Sequence, residues 1–413
     1  MTCQGELQDQ PLAGVTVLEL ATGIAGPYMG KLFADYGADV IKIEPPGGDE
    51  ARRWGPFLTD VPDDDISALF LHLNANKRSA TLDLAHPSGQ DLLRRLVLTT
   101  DVCTESFTPG TLAGYGLHFS ALRACNPSLI LTSITPFGQD GPYRGYRGNE
   151  IVYSALSGMN VTRARGGCPI MLGGNLTQYQ TGNVAAMATM ASLLFLEAGG
   201  EGTHVDISHM ATQMASANQS TTNLVGYAYT GRTSTRNVRP PGSPRPTAPP
   251  TVLPNGAFPC RDGAVWVATL QAWIPRMLKA IDSVDLTAIF RDPGRLNEPQ
   301  TMDRISALVT EWFLARSRAD AMAEAQAEGW PVIAFQSPAE VVGDPHFVER
   351  GAILEYQHPV AGPVMGLGPP FQFEDAWMFR TPAPGLGQHT AEVYAQIGLG
   401  AAELSAYRAA GVI

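Results

Sequence analysis

The chain has 413 residues, 44% of them hydrophobic and 16% charged, with a formal net charge of −11. At roughly 100–200 residues per domain this length predicts two or three domains, and the composition excludes collagen-like, fibrous and largely disordered chains. The acidic excess argues against a nucleic-acid partner, because such a surface repels a phosphate backbone, but it leaves room for a small local anion site.

Val15–Leu20 is a short β-rich run. A Gly/Pro turn, Gly23-Ile-Ala-Gly-Pro27, leads into a helical pattern through Phe33 that ends at Gly37, and Asp39–Glu44 reads as a second strand. A strand–turn–helix–strand unit predicts a parallel, doubly wound sheet, because a crossover helix is the usual link between parallel neighbours. Ser79–Leu84, Asp101–Glu105 and Leu129–Ile134 continue the strands, with a helix over Pro87–Leu98. Residues 174–197 read as one long helix, stopped by Gly199-Gly-Glu-Gly202 before the strand-like Thr203–Ile207. Its apolar part, Val184–Leu196, is too short for a membrane span, so no membrane partner is expected. Residues 231–259 are rich in Pro, Gly, Arg, Ser and Thr and predict a long loop. Beyond it, Ala264–Leu270 reads as a strand, Ile274–Ile281 and Asp303–Ala315 as helices, and Gly351–Met365 as a hairpin. The domains expected are a large one over 1–202, a linker with a Pro-rich loop over 203–259, a small α/β domain over 260–330, and a C-terminal segment, 331–413, that returns to the large domain.

Several motifs invite chemistry. Glu44 follows the first turn at about the spacing of a ribose-binding acid in a dinucleotide fold, but Gly23-x-x-Gly26-Pro27 lacks the paired glycines and proline removes an N–H donor, so a tight structural turn is preferred. No G-x-S-x-G elbow signals a serine nucleophile. The five cysteines are scattered without a C-x-x-C pair or metal spacing, which fits a reducing cytoplasm and predicts no metal site. The opening MTCQGELQDQPLAG is too polar for a targeting segment. Alternation puts His204 and Asp206 on one strand face, where a structural histidine is preferred to an acid/base pair.

Residues 12–56, from Leu12 through Gly23-Ile-Ala-Gly-Pro27 to Pro56, closely resemble the N-terminal signature of the family III CoA-transferases. That group contains formyl-CoA, carnitine and benzylsuccinate CoA-transferases and α-methylacyl-CoA racemase. Asn76-Lys-Arg-Ser79, Glu105–Gly110, Phe137–Pro142, Gly199–Ser208 and a stretch within Ala339–Gly368 resemble further blocks of the family, in its order. The resemblance implies an α/β fold with a Rossmann-like large domain, a smaller α/β domain and an interlaced dimer. The coenzyme A thioester is then a substrate, and no covalently bound cofactor is implied.

The family's chemistry rests on an aspartate four residues before a helix glycine, which attacks the thioester to give a mixed anhydride. The matching glycine is Gly182, in Gln178-Tyr-Gln-Thr-Gly182, so Gln178 stands at the aspartate position. A carboxamide is a poor nucleophile and carries no charge. Family racemases pair the aspartate with a histidine whose position looks like Asn149 here, and Glu150 next to it is a candidate substitute carboxylate, although an acidic residue is common there in the family. The implied CoA pocket holds Lys77, Arg78, Leu82, Phe107 and Phe137, but relatives carry cations or Asn where this chain has Ala85, Ser106, Thr108 and Gly114. Each absent cation removes a charge-assisted phosphate contact, so CoA binding is expected to be weak or absent on this chain. The expectation is a subunit without its own nucleophile, working with a catalytic subunit of the same family to move CoA from succinyl-CoA to an organic acid such as (R)-benzylsuccinate, in anaerobic toluene degradation. A self-sufficient transferase or hydrolase and a non-catalytic acyl-CoA-binding protein are the rivals.

Overall fold

Short aliphatic strands separated by helices whose apolar faces recur at helical spacing build a parallel sheet. In the computed structural model, residues 10–58, 63–159, 171, 173–216, 218–231, 254–292, 299–374 and 381–413 are described. The chain divides into two units, Met1–Pro241 with Gly351–Ile413, and Gly242–Arg350.

The first unit runs β1 (Thr16–Glu19), α1 (Ala25–Asp35), β2 (Asp39–Glu44), α2 (Ala68–Asn74), β3 (Arg78–Thr81), α3 (Pro87–Val97), β4 (Val102–Glu105), α4 (Thr111–Gly114), α5 (Phe119–Cys125), β5 (Ile130–Thr135), α6 (Glu150–Leu156), α7 (Leu176–Glu197), β6 (His204–Ser208), α8 (His209–Ser216) and α9 (Asn218–Thr230). The six strands are parallel in the order β3-β2-β1-β4-β5-β6, a doubly wound sheet whose direction of growth reverses between β1 and β4. One core packs Leu18, Ile41, Leu93 and Leu131 on one face of the sheet, and a second packs Val17, Met29, Val40 and Ile130 on the other. Pro87 starts α3 without losing a bond because the first N–H groups of a helix have no internal partner, and His86 accepts from the Ser88 amide as its cap.

The expected boundary at residue 202 moves. β6 pairs with β5 as the sixth strand, so the large unit continues past the long helix. The second unit holds β7 (Gly256–Cys260), β8 (Gly263–Val267), α10 (Ile274–Ile281), α11 (Val284–Arg291), α12 (Pro299–Leu314), α13 (Arg318–Ala327), β9 (Val332–Ala334), α14 (Pro338–Val342) and α15 (Pro345–Glu349). It extends beyond residue 330 because β9 pairs antiparallel with β8, and its core gathers Val265, Val267, Phe313 and Trp330. Most of the expected Pro-rich loop, residues 232–253, lies outside the described residues. β10 (Ile353–His358), β11 (Gly362–Leu367), α16 (Thr390–Gln396) and α17 (Ala401–Ala409) belong to the first unit, with β10 and β11 forming an antiparallel hairpin. The last segment buttresses β3: Thr390 meets Thr81, the Asp83 amide donates to the Val412 carbonyl, and Leu404 and Val412 join the first core. Among the described residues no helix is long and apolar enough to cross a membrane.

Candidate active site

Gly182 brings α7 against α1. A Cβ there would lie 2.7 Å from the Ala25 carbonyl oxygen and 3.0 Å from the Tyr28 ring, so only glycine permits this approach. One turn earlier sits Gln178, partly buried, whose side chain makes no hydrogen bond among the described residues. Tyr28 and Tyr179 meet edge to face at 4.9 Å.

α6 lies next to this first turn. Asn149 caps α6 by accepting from the Val152 amide at 3.3 Å, and Glu150 reaches across to accept from the Thr177 amide at 2.7 Å through Oε1. A carboxylate at a helix N-terminus is favoured by the free N–H groups there. Glu150 is 9% exposed and its Oε2 has no hydrogen-bond partner. It therefore fastens α6 to α7, and that engagement speaks against its use as a substitute nucleophile. Beneath it, Tyr153 stacks on His209 at 4.6 Å, and His209 Nδ1 shares a 3.0 Å hydrogen bond with Thr181. Burial pushes His209 down to about 4, which keeps it neutral at physiological pH.

Phe137 is placed at the same end of the sheet, within an aromatic group that includes Tyr143, Tyr146 and Tyr153 at centroid distances of 6.1, 6.2 and 6.5 Å. The other residues implied for CoA are scattered. Lys77 is fully buried, and its three donors go to Glu19 Oε2 at 2.8 Å, the Pro27 carbonyl at 2.8 Å and Asn74 Oδ1 at 2.9 Å. No donor is left for a phosphate, which corrects the expected role of this lysine. Burial, partly opposed by Glu19, pushes it down to about 8. Arg78 binds Asp39 through Nε at 2.9 Å. Leu82 is a core residue, and Phe107 packs partly buried against that core. Gly114 and Ala85 are exposed, and a Cβ at Gly114 would meet open space, so packing does not forbid a cation there.

The dinucleotide signals have structural causes. Glu44 is fully buried between Arg52, at 2.7 Å, and Ser79, at 2.6 Å, which leaves it no ribose to bind. Gly26 is required because its Cβ would fall 2.2 Å from the Ala21 Cβ. At the sheet's switch point the β1 and β4 loops are tied by the Thr22 amide donating to Ser106 Oγ at 3.0 Å.

A cavity of about 360 Å³ opens at the carboxyl ends of β4 and β5, lined among others by Glu105, Phe119, Ser133, Gln139 and His204. Burial pushes Glu105 up to about 7, against the pull of Ser133 and the Phe107 amide and with a further push from Asp206. His204 Nε2 lies 2.9 Å from Ser133 Oγ, whereas Asp206 accepts from the Gln139 amide at 2.9 Å. The two share a face, as alternation implied, but each is bound to a different group. Sequence reasoning passed over Glu105, although an acid closing the otherwise uncharged strand Val102-Cys-Thr-Glu105 is a visible oddity.

CoA-transferase family III matches residues 12–390. The succinate–glutarate CoA-transferase of Agrobacterium fabrum is 33% identical over 94% of this chain and 96% of its own. The succinyl-CoA:(R)-benzylsuccinate CoA-transferase subunit BbsE of Thauera aromatica is 28% identical over 93% of both chains. Among solved structures, a CAIB/BAIF family protein from Brucella suis superposes with a TM-score of 0.79 at 30% identity, covering 94% of this chain and 99% of that one.

Proposed function

Because the chain belongs to CoA-transferase family III, we propose that it is the subunit of a heteromeric CoA-transferase that does not supply the nucleophile, and that it is inactive alone. The observation that carries this reading is Gln178. An uncharged amide, free of hydrogen bonds among the described residues, stands at the family's aspartate position on the first turn of α7, and the nearby Glu150 is held by the Thr177 amide through one of its oxygens. The partner is a family member with its aspartate intact. Its carboxylate attacks the succinyl thioester, expels CoA thiolate and forms a mixed anhydride; the thiolate returns to give an enzyme thioester and free succinate, and the acceptor acid then takes the CoA through a second anhydride.

Exposed apolar side chains support a partner chain of the interlaced kind. Met187, Leu194 and Phe195 on α7, Ile151 and Leu156 on α6, and Tyr229 on α9, 87% exposed, form surfaces that a monomer gains nothing by showing to water. CoA binds this chain weakly, since Lys77 has no free donor and Ala85, Thr108 and Gly114 carry no cation. The acceptor is an organic acid. Relatives named for glutarate and for (R)-benzylsuccinate both span nearly the whole chain, and the latter remains one member of the proposed class.

The test is co-purification with the candidate catalytic subunit and assay with succinyl-CoA and a panel of dicarboxylates. The pure chain is expected to show no turnover, and the pair to be active. Gln178→Asp, combined with a partner lacking its aspartate, is expected to yield no acyl-aspartyl adduct by mass spectrometry. Robust turnover by the pure chain would refute the reading.

A further inference from the structure

Between β5 and α6 the chain turns through Tyr143-Arg144-Gly145-Tyr146-Arg147, all exposed. Tyr143 and Tyr146 stack with centroids 5.0 Å apart and planes 30° from parallel, 41% and 60% exposed. Phe137, buried behind them, holds the pair from beneath at 6.1 and 6.2 Å. A Cβ at Gly145 would have nothing within 4 Å, so the turn has open space at its tip. On a protein of net charge −11, Arg144 and Arg147 make no side-chain hydrogen bond or ion pair among the described residues. Two residues after Arg147, Asn149 opens α6, whose Glu150 grips the first turn of α7 beside Gln178.

These features complement one another. A planar guanidinium binds a carboxylate through paired N–H donors, and an exposed aromatic pair gains by covering its faces with another ring. We infer that this turn is the seat of an aromatic carboxylic acid, its carboxylate taken by Arg144 and Arg147 and its ring laid against Tyr143 and Tyr146. The seat deepens the proposed transfer and rests on that reading only for the acid's part as CoA acceptor. Aliphatic diacids would use the arginines alone.

The test uses the purified full chain, titrated with phenylacetate, glutarate and phenylacetamide by calorimetry and saturation-transfer NMR. Phenylacetate is expected to bind saturably in the millimolar range or tighter, and phenylacetamide at least tenfold more weakly. The double variant Arg144→Gln, Arg147→Gln should weaken phenylacetate at least tenfold. Tyr146→Ala should weaken phenylacetate several-fold and leave glutarate unchanged. All these side chains are exposed, and circular dichroism of each variant checks that it folds. Absence of saturable phenylacetate binding, or unchanged binding in the double variant, overturns the seat, and an equal loss for both acids in Tyr146→Ala overturns its aromatic half. The two proposals separate cleanly. Binding by the chain with no turnover in the pair breaks the transfer reading alone, whereas turnover in the pair with wild-type binding by the double variant breaks the seat alone.

Discussion

Two regions of the large unit treat charge in opposite ways. Under α1, the carboxylate of Glu19 is completely buried and shared by Lys42 at 3.1 Å and Lys77 at 2.8 Å, while Lys42 also reaches Asp49 at 2.7 Å. Each buried charge there has an opposite neighbour, the condition under which burying ions is tolerable. At the first turn of α7 the unit has an uncharged Gln178 and a carboxylate oxygen of Glu150 with no partner, and the turn that leads into α6 carries two exposed arginines without ion pairs among the described residues. A closed network holds a fold together, whereas a buried polar atom left without a partner calls for an explanation of its own. The lysine expected at the CoA site lies in the closed region, where its donors are taken by Glu19, the Pro27 carbonyl and Asn74.

The comparison breaks most readily at Glu19. Glu19→Gln leaves Lys77 buried without a counter-ion and takes one of two from Lys42, so a loss of about 3–5 kcal/mol is expected in urea unfolding. A loss below 1 kcal/mol would mean that the network contributes little.

Glu105 sharpens the contrast next, because its shift has a definite sign. Its carboxyl is raised from 4.5 to about 7 in the folded chain, which therefore keeps a proton that the unfolded chain has already released. Stability from this group is lost as pH rises from about 4.5 to about 7, by a total on the order of 3 kcal/mol. Glu105→Gln, which cannot titrate, should flatten the dependence of Tm on pH over that window. An unchanged profile would assign the effect elsewhere.

Gly182→Ala forces its Cβ to within 2.7 Å of the Ala25 carbonyl, with an expected cost of about 1–3 kcal/mol by thermal unfolding. The smallest effect belongs to Gln178. Gln178→Ala should change stability by less than about 0.5 kcal/mol, as for side chains without specific partners, and leave most of the activity of the two-subunit complex.

Local pattern made much of the first unit readable. Asp39–Glu44 was expected and found to the residue, and the helix over Pro87–Leu98 ends one residue earlier, at Val97, because both carry their signals in adjacent side chains. The fate of β6 was less visible. Thr203–Ile207 reads as a strand, but its parallel pairing with β5 is a contact across some 70 residues that no local rule encodes. In the candidate site, the proposal for Gln178 rests on a single motif, Gln178-Tyr-Gln-Thr-Gly182. The burial of Lys77 could not be read from its motif, since a lysine in Asn76-Lys-Arg-Ser79 looks the same in a sequence whether it faces solvent or core. The alternation Tyr143-Arg-Gly-Tyr-Arg147 was legible and passed over, because its meaning depends on the tyrosines stacking and the arginines lacking acids.

The packing of the last residues against β3 has a consequence for the order of events at the ribosome. The outer strand of the large sheet is covered by Thr390, Leu404 and Val412, while the first core also draws on Leu18 and Ile41. A chain emerging from its N-terminus must therefore hold its six-stranded sheet with β3 uncovered through the whole synthesis of Gly242–Arg350, a unit with a core of its own that can condense meanwhile. Closing the large unit joins segments more than 300 residues apart in the chain, a slow step by loop-closure entropy. Until it is complete the edge of β3 stays open to other strands, and it is in that interval that the nascent protein is most exposed to aggregation.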